Sequence, residues 1–108
     1  MIKSPETILA LQDASKNPEP RVRIAVASGI SNLSEQDANT LVNRLIKDKD
    51  LGVRKITLKS ISGFSPEFLE NVQKIAEKDS EPIIRDFLSK FRKNQTKYWI
   101  HESKIFII

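Results

Sequence analysis

Apolar positions along this chain recur at the three- and four-residue spacing of amphipathic helices, with polar positions filling the gaps. Val22, Ala25, Val26, Gly29, Ile30 and Leu33 form one such stripe. The same phase returns 31 residues later as Val53, Ile56, Thr57, Ser60, Ile61 and Phe64, and again as Ile84, Phe87, Leu88 and Phe91. A second set of stripes lies between them: Ala38, Leu41, Val42, Leu45 and Ile46, then Leu69, Val72, Ile75 and Ala76. These predict helices over about 35–47 and 66–78. An opening helix over about 5–16 uses Ile8, Leu11 and Ala14, and corresponds to the second half of a unit whose first half is missing.

Polar residues punctuate the helices at the same period. The first helix of each unit is predicted to stop at Asn32, Gly63 and Asn94, the residue types that best accept a left-handed closing conformation. Two positions later stand Ser34, Ser65 and Thr96, which cap helix N-termini by accepting an orphan backbone N–H. Ser65-Pro66-Glu67 adds proline at the first helical position and a carboxylate near the positive helix end, a signature that Ser4-Pro5-Glu6 repeats. Asp37, three residues after Ser34, gives a weaker form of the capping box. By phase, Thr96 opens a last helix of about 97–107 with Trp99, Ile100, Ser103, Phe106 and Ile107 on one face, a lid over the last unit. A strand is the competing assignment, because Tyr98-Trp99-Ile100 and Ile105 to Ile108 favour extended backbone.

The period is visible in one segment above all. Asn17-Pro18-Glu19-Pro20-Arg21-Val22-Arg23 returns as Asp48-Lys49-Asp50-Leu51-Gly52-Val53-Arg54 and as Asp79-Ser80-Glu81-Pro82-Ile83-Ile84-Arg85. A fixed period of about 20–50 residues is the mark of stacked repeats. The chain therefore divides into a half unit, 1–17, and units 18–48, 49–79 and 80–108, the last with a capping helix. Together they make one domain of about seven helices.

The acidic-x-x-[Val/Ile]-Arg runs, Glu19 to Arg23, Asp50 to Arg54 and Glu81 to Arg85, resemble those of the HEAT-repeat superfamily, in the short-period form seen in phycobilisome-lyase-type repeats. The resemblance covers about 4–95. It implies an all-α, right-handed α-α superhelix, a HEAT-like solenoid, whose concave inner surface binds a partner. About three units is near the minimum for a stable stack. The open ends can be covered by another chain, or by a second copy in a homodimer.

Charge and composition change this picture little. The chain has 108 residues, 39% hydrophobic and 30% charged, which fits a folded soluble domain. It has no cysteine, which fits a reducing compartment. The N-terminus shows no signal peptide and no segment reaches the length of a membrane span, so a cytoplasmic location is expected. The net charge of +4 is uneven: residues 80–108 hold six basic and three acidic side chains. Lys90, Arg92, Lys93 and Lys97 make up much of that excess.

Two rows of charge follow the period. Arg23, Arg54 and Arg85 each stand four residues after an acid, Glu19, Asp50 and Glu81, the phase for an acid at a helix start pairing one turn on. Each arginine can also bridge to the neighbouring unit's loop. Either way this ladder reads as structural rather than as an anion-binding row. The second row is Lys16, Lys47 and Lys78 near the ends of successive second helices, extended one turn earlier by Asn43 and Lys74. It is the candidate partner-binding stripe, although lysine also favours helix C-termini for its interaction with the dipole.

Catalytic and cofactor chemistry find little support. His101 is the single histidine and has only Glu102 beside it, whereas a metal site needs three or four converging ligands. Gly29, Gly52 and Gly63 are isolated, so no phosphate loop is formed. Trp99 and Tyr98 beside Lys97 can stack on bases, but Trp99 reads first as packing. The expectation is a noncatalytic protein-interaction module without cofactor or metal, binding an unknown protein on its concave face. A nucleic-acid-binding repeat using the lysines and the basic C-terminal region is the alternative. A bilin-lyase-like accessory protein follows from the resemblance alone and is more remote.

Overall fold

A computed structural model describes residues 5–86, and among them every regular element is helical. The helices are α1 (Pro5–Ala14), α2 (Pro20–Gly29), α3 (Glu35–Leu45), α4 (Leu51–Ser60) and α5 (Pro66–Ala76). Residues 82–86 are also helical. The predicted stop at Asn94, the cap at Thr96 and the helix or strand over 97–107 lie outside the described residues, as do Ser4, Phe87, Leu88 and Phe91. No helix among the described residues is long and apolar enough to cross a membrane.

The helix starts follow the sequence signals. Ser34 Oγ accepts from Asp37 N at 3.1 Å and Ser65 Oγ from Phe68 N at 3.3 Å, each satisfying one of the N–H groups that open a helix. Asp50 caps α4 in the same way, accepting from Val53 N at 3.0 Å. α2 opens instead on Pro20, with Glu19 as a cap residue whose side chain makes no cap bond. Proline at this position costs nothing, because its missing N–H would have been an orphan.

The helix stops differ from expectation. No described residue has positive φ, so neither Asn32 nor Gly63 adopts the left-handed closure. α2 gives way to a 3-10 turn, Ile30–Asn32, and the chain leaves through Leu33, which is extended at φ −99° and ψ 156°. The tighter turn lets the Leu33 N–H reach the Ile30 carbonyl at 3.0 Å, and Phe64 repeats this contact to Ile61 at 2.9 Å. Leu33 is thereby held in the core and Phe64 against it, which a left-handed exit one residue earlier would have redirected.

Packing arranges the helices in two sets. α2 packs most extensively on α4, while α3 touches α1 on one side and α5 on the other. The core between the sets holds Val26, Ala27 and Ile30 of the first unit, Ala38, Leu41, Val42 and Leu45 of α3 with Ile46 just beyond it, and Val53, Leu58 and Ile61 of the next. Leu69, Val72 and Ala76 of α5 continue it. Two details depart from the predicted stripes. Ala25 is exposed, and Ala27 and Leu58, which occupy one phase of the repeat, are completely buried. The reason is that α2 and α4 are pressed against each other as well as against the second helices, so their buried arc is wider and rotated. Thr57 is buried with its hydroxyl donating to the Val53 carbonyl at 2.8 Å, so its burial leaves no unsatisfied group.

Candidate functional site

The most regular polar structure lies in the loops that open each unit. Asn17, Asp48 and Asp79 occupy equivalent positions, and each side-chain Oδ1 accepts the backbone N–H two residues on, from Glu19, Asp50 and Glu81, all at 2.9 Å. These Asx turns shape the loop before the helix starts. The arginines then thread the loops together. Arg23 donates from Nε to Asp48 Oδ2 at 2.8 Å, from Nη2 to Asp48 Oδ1 at 3.2 Å and from Nη1 to the Asn17 carbonyl at 2.6 Å. Arg54 repeats the pattern with the Asp48 carbonyl at 2.7 Å and Asp79 Oδ1 at 3.4 Å. Its Nε stands 2.9 Å from Asp79 Oδ2, but outside hydrogen-bonding geometry, so this rung is less well aligned than the first. Arg85 donates to the Asp79 carbonyl.

Each aspartate therefore serves two units, taking one arginine on its carboxylate and the next on its carbonyl. The predicted pairing of Glu19 with Arg23, Asp50 with Arg54 and Glu81 with Arg85 is not formed; Arg23 and Arg54 bridge to the neighbouring loop instead, and Arg85 donates to the Asp79 carbonyl of its own loop. The physical preference is clear: a single exposed pair one turn apart contributes little, whereas a two-pronged contact to a carboxylate in a site shielded from water is strong. Arg23 is only 5% exposed. The residues missed in the sequence are Asn17, Asp48 and Asp79. Their signal was the period itself, since they begin the recurring segment.

A second link between units was also invisible in the pattern. Glu35, at the start of α3, accepts from both the backbone N–H and the hydroxyl of Ser65 at 2.7 Å each. It thus places a carboxylate against the N-terminus of α5, where the helix dipole favours it.

The candidate stripe is exposed throughout. Lys16, Lys47 and Lys78 occupy the turns that follow α1, α3 and α5, each immediately before a loop residue of the ladder. Asn43 and Lys74 stand one turn earlier, and the Asn43 amide donates to Asn39 Oδ1 at 3.3 Å. The lysines take part in neither of the Arg–Asp ion pairs. His101, Trp99, Tyr98 and the basic cluster Lys90, Arg92, Lys93 and Lys97 lie outside the described residues.

Two concavities flank α4. One, of about 450 Å³, is lined by Ser28, Ser31, Ser60 and Ser62 with Lys59 and Phe64. Among the residues lining this cleft there is neither histidine nor carboxylate, and Lys59 is the one ionisable side chain. The other, of about 260 Å³, is lined by Lys55, Ile56, Leu58, Lys59, Ile83 and Ile84. Among the described residues no three His, Cys, Asp or Glu side chains converge as a metal site would need. No protein-family model matches the chain, and comparison with curated proteins and with solved structures returns no match.

Proposed function

We propose that this chain is a noncatalytic protein-interaction module, its units stacked in a HEAT-like α-α solenoid in the cytoplasm. The two sets of helices, and loops that hand an arginine from each unit to the next, support the stacked arrangement. The observation that carries the functional reading is the lysine row. The ladder engages the aspartates of the opening loops internally, while Lys16, Lys47 and Lys78 recur beside them at unit spacing, exposed and outside its ion pairs. A row repeated by the fold presents a periodic surface to an extended partner. With Asn43 and Lys74 it forms the partner-binding stripe on the second-helix side.

The test is affinity capture from native lysate with the full chain and with a Lys47→Glu/Lys78→Glu double variant. Proteins retained by the parent should be lost from the variant while its melting temperature stays unchanged. Equal retention by both chains would remove the stripe from the proposal.

A further inference from the structure

The repeat allows the two seams beside α4 to be compared residue by residue. Where α2 meets α4, the isoleucine Ile24 faces Gly52: a methyl group placed on Gly52 would stand 3.5 Å from Ile24 Cδ1. A large apolar side chain thus lies over a residue with none, and the seam is closed at that point. One period later the same two positions are Lys55 and Ile83. The large apolar group has moved to the far side of the seam, and a charged side chain stands where its cover would be. A lysine keeps its ammonium in water and covers apolar surface only with its stem. Ile83 is accordingly left 46% exposed, one of two large apolar side chains so exposed among the described residues.

We infer that the seam between α4 and residues 82–86 is a docking groove for an acidic amphipathic helix of a partner protein. It goes beyond the lysine stripe, using the first-helix side, but rests on the same reading of the chain as an interaction module. Three features fix the chemistry of the occupant. The floor, Ile56, Leu58, Ile83 and Ile84, is apolar. Its volume of about 260 Å³ is below the range of about 300–1,000 Å³ typical of small-molecule sites and suits one or two inserted side chains. The rim carries Lys55 and Lys59, both exposed. Four residues apart on α4, they are separated by about 6 Å along its axis. That spacing matches carboxylates three or four residues apart on a docked helix, with the apolar anchors between them, the helix-in-groove mode of recognition.

The groove is tested by fluorescence anisotropy, with the full chain titrated into a labelled 14-residue peptide carrying leucine at helical spacing and glutamate elsewhere. A twin peptide with lysine for every glutamate is the control. The acidic peptide should bind at least about ten-fold tighter than its twin. Lys55→Glu/Lys59→Glu and Ile83→Ser should each weaken it by about ten-fold or more, and Lys47→Glu/Lys78→Glu should leave it unchanged. That last variant separates the groove from the stripe, since either surface can fail alone. Equal binding of the two peptides, or none, would overturn the groove. Sensitivity to the lysines but not to Ile83 would reduce it to surface charge and overturn it too. A fall in melting temperature of Ile83→Ser by more than about 4 °C, the scale of about 1 kcal/mol in a small domain, would show that the chain already covers this residue, and would equally refute it.

Discussion

α1 and α3 occupy the same place in successive units and meet different fates. At positions 31 apart, α3 and the residue after it carry Ala38, Leu41, Val42, Leu45 and Ile46, all buried, where α1 and the residue after it carry Thr7, Ala10, Leu11, Ala14 and Ser15, of which only Ser15 is buried. α3 is touched by α1, α2, α4 and α5, whereas among the described helices α1 meets α2 and α3. Burial thus follows the neighbours on both sides, and at three of these positions the side chain follows it too: Ala10, Ala14 and Ser15 stand where α3 and the residue after it have Leu41, Leu45 and Ile46. The ladder runs the other way, from buried to exposed along the chain. Arg23 is buried and makes two aligned bonds to its aspartate, whereas Arg85 is exposed.

The comparison can be broken most sharply at the ladder. Arg23→Ala strips Asp48 of its buried counter-charge and should cost about 3–5 kcal/mol in urea unfolding. Arg54→Ala, at the less aligned rung, should also lower the melting temperature, but by less. A loss below about 1 kcal/mol for Arg23→Ala would show that the rungs decorate a fold held by other means. Next in size, Leu41→Ala should cost about 2–5 kcal/mol, because α3 is enclosed and the cavity cannot collapse. The reciprocal change on α1, Ala10→Leu, should move stability by no more than about 0.5 kcal/mol. Comparable effects of the two would mean that α1 is covered in solution by something that binds there. Smallest is Ser65→Ala, which removes the α5 cap and one of the two bonds to Glu35. About 0.5–2 kcal/mol is expected, and thermal melting of Ser65→Ala beside Ser34→Ala, which lacks such a link, checks whether the inter-unit contact adds anything.

Much of this was legible before any coordinates. The starts at Ser34 and Ser65, and the apolar faces of α3 and α5, follow directly from spacing and cap chemistry. In these helices the buried residues fall on one face and the polar ones on the other, so their periodicity is clean. α2 and α4 pack most extensively on each other, and there the pattern misled: Ala27 and Leu58 read as off-stripe although both are buried, and Ala25 as core although it is exposed. The helix stops failed for a different reason. Asn32 and Gly63 are permissive residues, and permissiveness does not require a left-handed turn where a 3-10 turn already delivers the next apolar side chain. The arginine ladder was legible, with two kinds of partner open to it, the acid one turn earlier and the neighbouring unit's loop; the residues of that loop were not. Asp48 and Asp79 lie 25 residues beyond their arginines, a distance only the folded chain closes. Of the candidate site, the lysine positions were readable and the groove was not, because an exposed Ile83 looks in sequence like any other apolar residue of a first helix.

Because Asp48 and Asp79 make interchangeable contacts, the length of the molecule is quantised. Excising residues 49–79 joins Asp48 to Ser80 and leaves Arg85 six residues after Asp48, the separation Arg54 now has from that same carbonyl. Arg23 keeps its own carboxylate. A chain cut by whole periods is rejoined in phase, while a cut here by part of a period leaves an arginine facing the wrong residue. The loops thus act as a ruler, one that admits change in whole steps and penalises every fraction between.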